Sequence, residues 1–139
     1  MDNAEKYTHW EDIALYDLDT AEAMLRSGRY LYVVFMCQQA IEKLSKGLHV
    51  LYTGQEASRT HNINIVLRPL FESEGSLVQE SSTYWDAYSP LFAELLAYYI
   101  SERYPSYREK LSSSVTEERA KDVMKRTKEA FEWLRSLKK

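Results

Sequence analysis

The sequence predicts an all-α fold, an antiparallel up-and-down four-helix bundle with one additional short helix. Three observations carry that reading. Four long segments repeat apolar residues at three- and four-residue steps, the period of a single helix face. Only 4 Gly and 3 Pro stand among 139 residues, too few for the tight turns of a many-stranded sandwich or barrel. Apolar side chains make up 45% of the chain, enough for one core in a single domain over residues 1–139.

The first helix is expected over about residues 9–27. Thr8 and Glu11 have the spacing of a capping box, in which each side chain satisfies a free backbone N–H of the first turn. Trp10, Ile13, Ala14, Leu18, Ala21 and Leu25 form its apolar stripe, with Asp12, Asp17, Asp19 and Glu22 facing away. Gly28 ends it, because glycine enters the left-handed conformation at little steric cost.

The second helix runs from about Arg29 to Tyr52 and is apolar on every side through Val33-Val34-Phe35-Met36-Cys37. A helix of that kind belongs at the centre of the fold. A polar loop follows over residues 53–62, and Asn62 caps a short helix bearing Ile63, Val66, Leu67, Leu70 and Phe71. Pro69 should shorten or kink that helix. Residues 72–83 read as a polar, mobile surface loop.

The next helix is expected to begin near Trp85 or at Ser89-Pro90, where proline suits a first helical position, and to stop before Pro105. A polar connection spans residues 105–115. Thr116 then caps the last helix, with Glu117 and Glu118 in its first turn, where the helix dipole favours acids. Ala120, Val123, Met124, Thr127, Phe131, Leu134 and Leu137 make its buried face.

Composition excludes several classes. No apolar run is long enough for a membrane span, and the polar N-terminus lacks the layout of a secretory signal, so a soluble cytoplasmic protein is expected. The single cysteine, Cys37, has no disulfide or metal partner at suitable spacing, and His9, His49 and His61 are too scattered for a shared metal site. No glycine-rich phosphate loop is present. Neither a metal nor a cofactor is therefore expected. Residues 1–100 carry seven Lys/Arg against fourteen Asp/Glu, and residues 101–139 carry eleven against seven. That basic C-terminal quarter suits either an anionic partner or ordinary helix ends. The 11 tyrosines suit either a surface buried against a second copy or the rim of the protein's own core.

Two polar constellations stand out. Gln38-Gln39-Ala40-Ile41-Glu42-Lys43-Leu44-Ser45-Lys46 lies on the apolar second helix, with Gln39, Lys43 and Lys46 on one face and Glu42 four residues before Lys46. These groups form either a network locking helices together or a cleft lined by a carboxylate and amines. The second constellation is Glu102-Arg103-Tyr104-Pro105-Ser106-Tyr107-Arg108 at a helix end. Guanidinium groups clamp phosphates and tyrosines stack on bases, so this patch suits a nucleotide or an RNA backbone.

The order of these features resembles the HEPN family (higher eukaryotes and prokaryotes nucleotide-binding domain). The residues that carry the resemblance are the Trp10 to Leu25 helix, Ser27-Gly28-Arg29-Tyr30, Gln38 to Lys43 with Lys46, Thr60-His61-Asn62, and Arg103-Tyr104-Pro105. The resemblance implies a helical bundle that homodimerises and a minimal nucleotidyltransferase as partner. Many members are metal-independent ribonuclease toxins of toxin–antitoxin pairs, with an Arg-x(4–6)-His motif at the dimer cleft. Arg103 matches that arginine, but the following positions lead to Arg108, Glu109 and Lys110, with no histidine. The tyrosine that antitoxin nucleotidyltransferases modify in some members would fall at Lys110.

Three hypotheses follow. In the first, a non-catalytic dimer binds a nucleotide or RNA through Arg103, Tyr104, Tyr107 and Arg108, with Gln39, Glu42, Lys43 and His61 lining the adjoining cleft. In the second, the protein is a ribonuclease using Arg103 with His61 or Glu42. In the third, the chain is a purely structural helical dimer.

Overall fold

Helix α1 spans Asn3–Arg26 and α2 spans Tyr30–Thr53 in the computed structural model. The structure describes residues 1–72, 75–78, 82–103 and 115–138, with the side chains of 82 and 101–103 outside that set. Helix α3 covers Ile63–Phe71, α4 covers Ser82–Arg103 and α5 covers Glu117–Ser136. All five elements are helical, and no strand occurs among the described residues.

The corner between α1 and α2 is set by a glycine. Gly28 adopts φ 74°, and its N–H donates to the Leu25 carbonyl while that of Arg29 reaches back to Met24. Those two bonds close a Schellman motif and satisfy carbonyls that the helix end would leave open. The chain then reverses, and α1 lies antiparallel along α2: Asp17 faces Lys43, while Tyr7 and Trp10 meet Gly47. A Cβ at Gly47 would lie 2.9 Å from Trp10 Cβ, so glycine is what lets the two helices approach there.

The start of α1 departs from expectation. The helix begins at Asn3 rather than near residue 9, and Asp2 caps it by accepting from the Glu5 N–H. Thr8 is interior and bonds the Ala4 carbonyl, so no capping box forms with Glu11. Extending the helix brings Tyr7 to the core, while Ile13, placed in the expected stripe, is exposed. Asp17 and Glu22 do not face away: Asp17 pairs with Lys43, and Glu22 with Lys128 on α5.

Helix α2 is the centre. It packs against each of the other four helices, and Val33, Val34, Cys37, Ala40, Ile41, Leu44 and Leu48 are fully buried. The β-branched pair is accommodated because burial outweighs its modest helix cost. Gly54, at φ 75°, closes the helix. Burial pushes the Cys37 thiol up to about 12, since the charged thiolate is disfavoured in an apolar interior.

Asn62 caps α3 by accepting from the Ile65 N–H, and the helix ends two residues after Pro69. The expected surface loop over 72–83 falls partly outside the described residues. Within it, Leu77 is buried and its N–H donates to the Leu70 carbonyl, so this position belongs to the core. Helix α4 also begins earlier than expected, which leaves Pro90 inside it rather than at its first position. Packing of Trp85, Leu91 and Phe92 into the core offsets the donor that proline lacks.

Thr116 caps α5 through the Arg119 N–H, and every expected residue of its apolar face is buried. Arg126 binds Glu94 of α4 through two guanidinium nitrogens and reaches Asp122 as well, which raises its pKa further. At the far end of α5, Arg135 pairs with Glu11, Lys138 sits over the Tyr7 ring, and the Tyr52 hydroxyl donates to the Leu137 carbonyl. Burial, then the bond to Glu11, raises the Tyr7 pKa.

Candidate functional site

The polar face of α2 is organised around one carboxylate. Glu42 is 2% exposed, and three donors converge on it. Gln38 Nε2 lies 3.0 Å and His61 Nδ1 2.9 Å from Oε1, while Lys46 Nζ lies 3.0 Å from Oε2. Burial by itself would raise the Glu42 pKa, but the bonds from Gln38, Lys46 and His61 and the Lys46 charge outweigh it. The carboxyl is held below its ordinary value. Glu42 is thus an ionised carboxylate inside the protein.

The histidine reaches it from the loop between α2 and α3. Gln38 Nε2 also donates to the His61 carbonyl at 2.9 Å, and the Thr60 hydroxyl accepts from the Asn62 N–H. With Asn62 fixed as the cap of α3, the backbone on both sides of His61 is tied down. The ring packs on Tyr99 of α4 with centroids 4.4 Å apart, and Tyr99 stacks in turn on Phe35 of α2. The His61 side chain stays 47% exposed. A buried carboxylate and an anchored, half-exposed imidazole make up an arrangement that can exchange hydrogen bonds with a ligand.

A second set continues along α1 and α2. Gln39 Nε2 donates to Gln38 Oε1 at 2.6 Å, and Lys43 Nζ donates to Gln39 Oε1 and to Asp17 Oδ2. The sequence-derived residues Gln39, Glu42, Lys43 and His61 therefore belong to one connected network, and Lys46 pairs with Glu42 as its spacing predicted. The structure shows the network reading of this face: the groups lock α1, α2 and the loop together. His49 is separate, with Nδ1 2.9 Å from the Val66 carbonyl, and serves helix packing.

The Arg103 constellation stands differently. Arg103 is the last residue of α4, one helical turn past Tyr99, and its side chain lies outside the described residues. Tyr104, Tyr107 and Arg108 lie outside them too. Gln38 and Tyr99 are site residues that the sequence analysis did not assign. Gln38 was detectable as the residue four before Glu42, and Tyr99 as the residue four before Arg103.

Among the described residues, no group of three or more His, Cys, Asp or Glu side chains could hold a metal ion. No helix among them is long and apolar enough to cross a membrane. No curated protein and no solved structure matches the chain. The HEPN domain family model matches residues 7–137, from the buried Tyr7 to the end of the last helix and across the whole network around Glu42. The chain belongs to the HEPN domain family.

Proposed function

We propose that this chain is a cytoplasmic HEPN-type domain, an up-and-down four-helix bundle with one extra short helix, that homodimerises, binds a nucleotide or RNA, and partners a minimal nucleotidyltransferase. The observation that carries the binding reading is His61, anchored on the buried Glu42 against Tyr99, one helical turn before Arg103. Family membership supports the same ligand class. Partly exposed Lys43 and Lys46 add amines to the same network. The stretch from Arg103 to Arg108, with Tyr104 and Tyr107, carries the groups that clamp phosphate and stack on bases. Ribonuclease catalysis of the Arg-x(4–6)-His type is left out of this reading because Arg108, Glu109 and Lys110 occupy the histidine's positions.

Fluorescence anisotropy with short single-stranded RNA tests the proposal. Saturable binding that weakens with salt is expected, with the RNA recovered intact. Absence of binding at low salt overturns it. Light scattering that returns a monomer removes the dimer, and a tagged protein that never co-purifies with a nucleotidyltransferase counts against that partner.

One observation favours a second reading. Glu42 holds His61 by Nδ1, the arrangement that orients an imidazole for proton transfer. In that reading the chain is a metal-independent ribonuclease, the toxin of a toxin–antitoxin pair, using His61 with Arg103. Cleavage of total RNA by the wild type, lost in Arg103→Ala without unfolding, would replace the first reading with this one.

A further inference from the structure

We infer that the Glu42–His61 pair reads the sugar of its ligand, presenting His61 Nε2 as a fixed hydrogen-bond acceptor that selects a ribose by its 2′-hydroxyl. The inference rests on the nucleotide- or RNA-binding reading above and adds the sugar class to it.

Glu42 receives Gln38 Nε2, His61 Nδ1 and Lys46 Nζ, and an ionised carboxylate has acceptor sites for all three and no proton to give. Nδ1 is therefore the nitrogen that carries hydrogen. In the neutral tautomer that this bond selects, the single N–H is at Nδ1 and Nε2 keeps a lone pair. A histidine on an open surface samples both tautomers and many orientations. Here the buried carboxylate chooses the tautomer. The Tyr99 ring, the Gln38 bond to the His61 carbonyl and the Asn62 cap choose the orientation.

An acceptor held in place discriminates by chemistry. Phosphate oxygens are themselves acceptors and gain nothing at Nε2. A 2′-hydroxyl donates to it, and deoxyribose has no such group; this hydroxyl is what lets a protein tell RNA from DNA at a given site. Lys46 and Lys43 are engaged by Glu42 and by Asp17 with Gln39, so neither competes for Nε2 as a donor. His61 is thus a binding residue, and Glu42 a positioning residue that acts through it.

Matched single-stranded oligonucleotides of one base sequence, differing only at the sugar, test this by anisotropy. The wild type should bind the ribose form roughly five- to tenfold more tightly than the 2′-deoxy, 2′-fluoro and 2′-O-methyl forms, the scale of one hydrogen bond. All three replacements remove the donor, and the last keeps the oxygen. His61→Phe retains a ring for Tyr99 and should abolish the preference, bringing the ribose-to-deoxy affinity ratio to about one. Glu42→Gln should lower the ribose-to-deoxy ratio in protein that circular dichroism finds folded. Equal binding of all four sugars by the wild type, or an unchanged preference in His61→Phe, overturns the inference and leaves the binding reading standing. Failure to bind any of them overturns both.

Discussion

Glu42 Oε1 and His61 Nδ1 stand 2.9 Å apart across 19 residues of sequence, and this contact pins the loop before α3 to the middle of the central helix. A carboxylate so deeply placed is stable only because every donor around it is engaged. Replacing it by alanine leaves the Lys46 ammonium without its partner and takes one of the two acceptors from the Gln38 amide. Glu42→Ala should therefore destabilise the protein by about 2–4 kcal/mol, read as a shift in urea midpoint.

The same carboxyl makes stability depend on pH. Its folded pKa is depressed below the ordinary 4.5, so its contribution is fully present above that value and is lost as pH falls through the folded one. Acid titration of the wild type should show a loss of stability in that window, and the loss should be smaller in Glu42→Gln. Identical acid profiles would remove Glu42 from the account.

Gly47 lets α1 and α2 approach closely. Alanine is the better helix former by about 1 kcal/mol, yet its Cβ would press on Trp10 Cβ at 2.9 Å and Tyr7 Cδ2 at 3.2 Å. Overpacking of this kind costs roughly 1–3 kcal/mol, so Gly47→Ala should lower the denaturation midpoint and Gly47→Val should lower it further.

Asn62 sits next to the site histidine and caps α3. Asn62→Ala should cost about 1 kcal/mol of stability, while Asn62→Asp should be nearly neutral. Oligonucleotide affinity should follow the same order, since the cap also fixes the backbone at His61.

Cys37 is fully buried and its thiol is pushed up to about 12. A thiol-reactive dye at neutral pH should leave the native protein unlabelled and label it stoichiometrically in denaturant. Rapid labelling of the native state would mean that α2 opens on that timescale.

Arg103→Ala should weaken oligonucleotide binding and reduce the slope of log affinity against log salt by about 0.7, the value for one contact to a single strand. An unchanged slope with unchanged affinity would remove Arg103 from the interface.

Much of this was legible in the sequence where one face of a helix decides the outcome. The buried face of α5 was readable because Ala120 through Leu137 alternate cleanly with charge. The start of α1 was not, because Thr8 and Glu11 mimic a capping box and Asp2 lies farther out in a polar segment. Pro90 misled in a similar way: its preference for a first turn is local, whereas the packing of Trp85 and Phe92 is tertiary. At the site, Glu42–Lys46 was readable from helical spacing, since both residues share one element. The bonds from Lys43 to Asp17 and from Glu42 to His61 cross between elements, and no periodicity encodes them.

The bonds tying α5 to α1 and α2 also bring the start of α1 beside the end of α5. Tyr7 and Glu11 meet Lys138 and Arg135, so the first and last turns share one pole of the molecule. Phe35, Tyr99 and Tyr98, which contacts Arg119 at the opposite end of α5, lead toward the other. Joining the start of α1 to the end of α5 by a short tether would then permit circular permutants opened within residues 53–60, with the imidazole and its carboxylate left in register.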